Sequence, residues 1–242
     1  MIIFPNKKAC VKERDNFRKV DDTGLLDLRN MGLTRFPEIH GDIGTIHQLD
    51  LRNNTFKEFP REIVNLPIER LDISGLGFDK FPTEITNLNT LKAIYLRNNR
   101  ILPKKFDLFP SLEELYLEDN ELTALSKKIG NLNRLRVLGL ARNELKTLPR
   151  EIGHLNNLEF LFLQDNKLNV IPETIGKATN LYQINLSKNP IQNLPEEFGD
   201  LKRLRNLLLD GTPIVLDDSV TKLQLTSITA IDAESIDRKS VV

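Results

Sequence analysis

Residues 135–155 read LRVLGLARNELKTLPREIGHL, and this stretch decides the fold. Its apolar residues are Leu135, Leu138, Leu140, Leu145, Leu148, Ile152 and Leu155. That spacing fits neither a helical period nor plain strand alternation over its length. It reads as one coil of a solenoid. Leu138 and Leu140, two apart, share the inner face of a short strand. The chain then turns at Asn143, and the return leg starts at Pro149. Residues 158–178, LEFLFLQDNKLNVIPETIGKA, repeat the phrase.

Working outward, slots can be counted from the first residue of the pattern LxxLxLxxNxL. Slot 1 is Thr23, Ile46, Ile68, Leu91, Leu112, Leu135, Leu158, Leu181 and Leu204, which makes nine coils. The steps between them are 23, 22, 23, 21, 23, 23, 23 and 23 residues. Slots 4 and 6 hold Leu or Ile throughout, from Leu26 and Leu28 to Leu207 and Leu209. Parallel strands ~4.8 Å apart would stack these pairs into one core, each coil completing its neighbour. Slot 9 is Asn54, Asn99, Asn120, Asn143, Asn166 and Asn189 in six coils. An amide both donates and accepts, so these side chains suit a ladder of bonds to turn backbone. Met31, Leu76 and Thr212 interrupt it. Leu76 is internal and lies in the run SGLGF at 74–78, where a local irregularity is expected. Slot 15 is Pro37, Pro60, Pro82, Pro149, Pro172 and Pro195, with Ser126 in coil five. Pro at the first helical position, Glu just after it and an inward Ile or Phe predict a row of short helical segments opposite the strands. Pro103 arrives early in coil four, which predicts a dent there.

The nine-fold match resembles the leucine-rich repeat family over about residues 23–216. The phrases LPREIGHLNNL at 148–158 and IPETIGKATNL at 171–181 look like its bacterial and Shoc2-like branch. The resemblance implies an α/β solenoid: a right-handed superhelix with a parallel concave sheet and short 3-10 or helical convex segments. It also implies a protein or peptide partner on the concave side, without naming one, because fold does not fix function.

The ends depart from the pattern. Residues 1–22 are read as an N-terminal cap, with Val11, Phe17 and Val20 on one face of a helix begun after Pro5-Asn6. Their basic character makes an interaction arm the alternative. Residues 217–242 are read as a C-terminal cap and tail, with Asp217 or Asp218 at a helix start.

Composition narrows the function. Hydrophobic residues make up 40% and charged residues 28% of 242, as in a folding globular sequence. Lys+Arg and Asp+Glu are both 34, so no global basic field favours nucleic acid. The single Cys10 supports neither a disulfide framework nor a Cys-rich zinc site. No apolar run is long enough to span a bilayer, and MIIFPNKKAC lacks the apolar region of a secretory signal. The chain as given is expected to be cytoplasmic, with export as the alternative if a signal was removed. His40, His47 and His154 are scattered, and no HExxH, GxSxG or Gly-rich phosphate loop occurs. The expectation is a non-enzymatic binding module without cofactor or metal.

Recognition falls to slots 3, 5 and 7, whose side chains leave the sheet on its outer face. In the first half these form an acidic column, Asp27, Asp50 and Asp72, beside Arg29, Arg52 and Arg97. Solvated ion pairs are the preferred reading there, and a docking strip for a charged partner the alternative. The second half is aromatic. Tyr95, Tyr116, Phe160 and Phe162 occupy outward slots, and Tyr182 occupies slot 2. Coil six is small across this row, with Val137, Gly139 and Ala141. Tyr116 and Phe162 are expected to flank a trough ~10 Å wide floored by Gly139. The predicted partner surface is Tyr95, Arg97, Tyr116, Glu118, Val137, Gly139, Phe160, Phe162 and Tyr182. Such a trough could also take a second copy of the chain as a weak homodimer. The alternatives are a structural scaffold or adhesin-like surface protein using convex or edge surfaces, and the recognition part of a larger effector.

Overall fold

A computed structural model describes residues 10–13, 16–100, 109–214 and 227–229. The chain divides into two compact units, Met1–Leu102 and Pro103–Val242.

In the first unit the strands Leu25–Asp27, Gln48–Asp50, Arg70–Asp72 and Ala93–Tyr95 pair in parallel, in chain order. In the second, Glu114–Tyr116, Val137–Gly139, Phe160–Phe162, Gln183–Asn185 and Asn206–Leu208 do the same. Each strand is slots 3–5 of its coil. Registers match slot for slot, as in Phe160 with Val137 and Phe162 with Gly139. Slots 4 and 6 are inside: Leu26, Leu28, Leu138, Leu140, Leu161 and Leu163 have no accessible surface.

The return legs are 3-10 helices: Arg61–Asn65, Thr83–Asn87, Lys127–Asn131, Arg150–His154, Glu173–Lys177 and Glu196–Asp200. Proline stands one place earlier than expected, as the extended N-cap: Pro149 has φ −67° and ψ 148°. An N-cap is not yet helical, so a fixed φ serves there equally well. Ser126 replaces proline by accepting from the Lys128 amide at 3.3 Å, a side-chain cap. Ile63, Ile85, Ile129, Ile152, Ile175 and Phe198 point inward and are fully buried.

The asparagine ladder is present. Asn143 Nδ2 donates to Leu117 and Leu140 carbonyls, each at 2.9 Å. Its Oδ1 accepts from Asn120 N at 3.0 Å and Leu122 N at 2.9 Å. One side chain thus ties its own turn to the preceding coil. Slot 8, just before it, is left-handed in every coil, from Asn30 at φ 57° to Gly211 at φ 68°. Asn, Asp and Gly fill most of that column, as this conformation favours. In coil three Leu76 takes the amide's place and is buried; Gly75 follows the slot-8 rule, and the residue after Leu76, Gly77, is left-handed as well at φ 72°. A Cβ on Gly75 would run into Asn53 Oδ1.

The ends differ from expectation. Cys10–Glu13 and Asn16–Lys19 form an antiparallel hairpin in place of a helix. Cys10–Glu13 also pairs with Ile39–His40, so coil one has a strand where its convex turn was expected. Val and Phe in VKERDNFRKV have strand propensity, but Val11, Phe17 and Val20 do not alternate, so no two-residue period marks the hairpin. Ser227–Thr229 extends the parallel sheet beside Asn206–Leu208. The proposed helix start at Asp217 or Asp218 and the dent at Pro103 lie outside the described residues.

Candidate functional site

On the first unit's strand face, the acidic column is interleaved with arginines. Arg52 Nη2 lies 2.6 Å from Asp50 Oδ2, and its Nε lies 3.1 Å from Asp72 Oδ2. Arg29 Nε pairs with Asp27 at 3.1 Å. The hydrogen bond to Asp50 raises the Arg52 pKa. Burial raises that of Asp72, outweighing the Ser74 hydrogen bonds and the Arg52 charge. Ion pairing is thus what this column does. The next outward residue, Tyr95, is engaged by two guanidiniums. Arg70 and Arg97 stand 5.6 and 5.5 Å from its ring centroid, within cation–π range, and Arg70 donates to the Tyr95 hydroxyl.

In the second unit, strand register sets Tyr116, Gly139 and Phe162 side by side. The expected open trough is absent. Gly139 is buried, and a Cβ on it would meet Glu118 Oε1, with Glu118 Cδ at 2.8 Å and Tyr116 Cδ1 at 3.0 Å. Glycine leaves room that the Glu118 side chain fills, so the floor is a carboxylate rather than bare backbone. Glu118 is one of the partner-surface residues read from the sequence, with Gly139 as the floor; slot spacing does not show that the Glu118 side chain lies over Gly139. Val137, Phe160 and Phe162 are half-buried. Phe160 meets Tyr182 with ring centroids 6.0 Å apart and planes tilted by 58°, a favourable aromatic pairing. Tyr182 is 44% exposed, one of the three large apolar side chains most open to solvent among the described residues.

Two residues of this face escaped the sequence reading. Gln164 Oε1 and Ser187 Oγ, both at slot 7, are buried without a hydrogen-bond partner. Among the described residues no group of three or more His, Cys, Asp or Glu is arranged to hold a metal ion. Elsewhere, a cleft of about 420 Å³ on the helical side of the first unit is lined by Arg61, Val64, Thr83, Glu84 and Asn87.

A family model described as a leucine-rich repeat region matches residues 118–210. A leucine-rich repeat protein of Leptospira interrogans has a similar structure, with 31% identity and a TM-score of 0.78 over 86% of this chain and 54% of the other. This is a leucine-rich repeat protein. Its fold is also shared by an internalin of Listeria monocytogenes, at 20% identity and a TM-score of 0.62, over 78% of this chain and 62% of that one. A plant peptide hormone receptor, RGFR1, solved in complex with RGF2, matches at 26% identity and a TM-score of 0.60, over 78% and 32%. The leucine-rich repeat chain thus spans about half the length of the Leptospira protein. Comparison with the curated proteins finds no match. The leucine-rich repeat fold is generally a protein–protein interaction module. No helix among the described residues is long and apolar enough to cross a membrane.

Proposed function

We propose that the protein is a non-enzymatic binding module that takes a protein or peptide partner on the outward strand face of its second unit. Tyr116, Glu118, Val137, Phe160, Phe162 and Tyr182 line this surface, with Gly139 beneath the Glu118 side chain. Tyr95 and Arg97 provide a separate patch on the first unit.

The observation that carries the reading is the contrast between core and face in one strand. Leu161 is fully buried, whereas Phe160 and Phe162, its neighbours, stay half open beside the exposed Tyr182. Large aromatics left partly in water on a rigid sheet supply area at little entropic cost, which is why interfaces enrich them. The plant receptor RGFR1, solved in complex with RGF2, is consistent with this reading.

The test is site-specific photo-crosslinking in the native source. A photoreactive residue at Tyr182 is expected to trap a polypeptide, and one at Lys177 on the helical side is not. Trapping at Lys177 alone would overturn the reading and favour a scaffold that uses the convex side. If the species trapped at Tyr182 is the protein itself, the partner is a second copy, and light scattering should show a concentration-dependent dimer.

A further inference from the structure

The outward slots of coils six to nine carry little charge. Slots 3, 5 and 7 there are Val137, Gly139, Ala141; Phe160, Phe162, Gln164; Gln183, Asn185, Ser187; Asn206, Leu208, Asp210. Asp210 is the one ionisable side chain among these twelve. Charges lie instead along the two rims, at slots 2 and 8; Arg205 there donates to the Lys202 and Leu204 carbonyls, and the others are matched within the chain. Arg136 forms a bidentate pair with Glu159 at 3.1 and 3.0 Å. Arg142 does so with Asp119 at 2.7 and 2.8 Å, and Lys188 lies 3.5 Å from Asp165. The Glu118 carboxylate lies over Gly139 of coil six, but at coils seven and eight, between the rims, the strip offers aromatic faces, amides and a hydroxyl. A charged partner segment would surrender hydration there without gaining a counter-charge.

A second observation narrows the position. Ser187 is 8% exposed, and its hydroxyl oxygen has no partner. Gln164 Oε1, at the same slot of the preceding coil, is also unpartnered. The coils are directly bonded, Asp165 N donating to Ser187 O at 3.0 Å. Two idle acceptors thus sit on adjoining rungs beside Phe162. Both lie at the ends of rotatable torsions, so an incoming donor reaches them by side-chain rotation rather than backbone movement.

Resting on the strand-face reading above, we propose that coils seven and eight seat an uncharged, extended peptide segment of a partner protein. Its main-chain N–H groups donate to Ser187 Oγ and Gln164 Oε1, and one of its aliphatic side chains packs on Phe162. An extended segment suits this arrangement because it presents backbone donors along one edge and alternate side chains to the surface.

The test is selection of a phage-displayed random dodecapeptide library on the full chain, followed by calorimetry with the enriched peptides. Enriched peptides should be uncharged across the segment protected in hydrogen exchange. Phe162→Ala should cost about tenfold or more in affinity, as for an aromatic anchor. Ser187→Ala and Gln164→Met should each cost about three- to tenfold, the worth of one hydrogen bond. Either of these two variants decides the point if the other does not fold. Affinity should hold within about twofold between 50 and 500 mM NaCl, since no ion pair is screened. Peptides that need Phe162 but are charged, weaken steeply with salt or ignore both slot-7 variants overturn this inference alone. Peptides indifferent to Phe162→Ala and Tyr182→Ala, or no enrichment at all, overturn the strand-face reading with it.

Discussion

The helical sides of the two units are built from the same phrase but differ at one slot. In the described helices of the second unit slot 19 is Gly130, Gly153, Gly176 and Gly199. A Cβ on Gly130 would come within 2.7 Å of the Glu151 carbonyl oxygen, and those on Gly153 and Gly176 would run into Thr174 O and Glu197 O. Successive 3-10 helices therefore lie backbone against side-chain root, an approach only glycine permits. In the helical coils of the first unit the slot is Val64 and Thr86, Gly41 standing there only in coil one beside the strand Ile39–His40, and a cleft lined by Val64 opens between those helices. The strand faces differ as well: interleaved Asp and Arg in the first unit, aromatics and amides in the second. One repeat consensus thus supports a looser, ionic region and a tighter, apolar one, because core slots fix the fold and leave the others free.

That comparison can be broken or sharpened by mutation. The largest effect is expected for Asn143→Ala. It strands the Asn120 and Leu122 amide donors at a dry turn, whereas the Leu117 and Leu140 carbonyls keep bonds from Asn120 and Asn166. At about 1–3 kcal/mol per unpaired group the loss should reach about 4 kcal/mol in urea denaturation. Leu76→Asn, at the same slot of coil three, is the control, since that coil already folds without the amide. It should destabilise far less than Asn143→Ala, and an equal loss would mean the ladder is not what holds the turns.

Gly153→Val comes next. Overpacking against backbone typically costs about 1–3 kcal/mol, and the upper end is expected because Thr174 O has no rotamer to yield. Val64→Thr, at the matching slot of the first unit, should cost no more than about 1 kcal/mol, since it faces an open cleft. Equal losses in thermal denaturation would show that the two helical sides are packed alike.

Smaller again is Asp72→Asn. Burial lifts this carboxyl above its usual range, so the folded chain binds the proton more tightly than the unfolded one. Stability therefore falls as pH rises from the ordinary carboxylate range through the folded value, and is greater on the acid side of that window. Removing the charge should shift stability at pH 7 by no more than about 1 kcal/mol and flatten that dependence. A steeper slope in the variant would mean that pairing with Arg52 outweighs burial. The smallest effect belongs to Arg136→Ala, which breaks an exposed pair with Glu159 and should cost under about 1 kcal/mol.

The stack of coils was legible because its cause is local. A period near 23 residues with Leu at slots 4 and 6 leaves one way to bury those side chains, and Leu138 and Leu140 are fully inside. The asparagine ladder was legible for the same reason: an amide repeated at a turn has few other uses. The slot-8 column of Asn, Asp and Gly was an available signal for left-handed backbone, and the repeated Gly of EIG was one for close helix approach. Both were present in the sequence and went unread. The N-terminal hairpin is not legible because Val11, Phe17 and Val20 lack a two-residue period, and the three-residue step from Phe17 to Val20 suggests a helix instead.

The sequence by itself determined which side chains go inside, where each coil turns and which slots face outward, since these follow from chain periodicity and from the chemistry of Leu, Asn and Pro. Only the tertiary structure decided what the outward residues do. Glu118 folds over Gly139, Arg70 and Arg97 close on Tyr95, and Ser187 and Gln164 are left unsatisfied. Arg97 is only two residues from Tyr95, but the others depend on side-chain rotamers meeting residues about one coil away in the chain, and spacing along a strand carries no record of which way a side chain will lean.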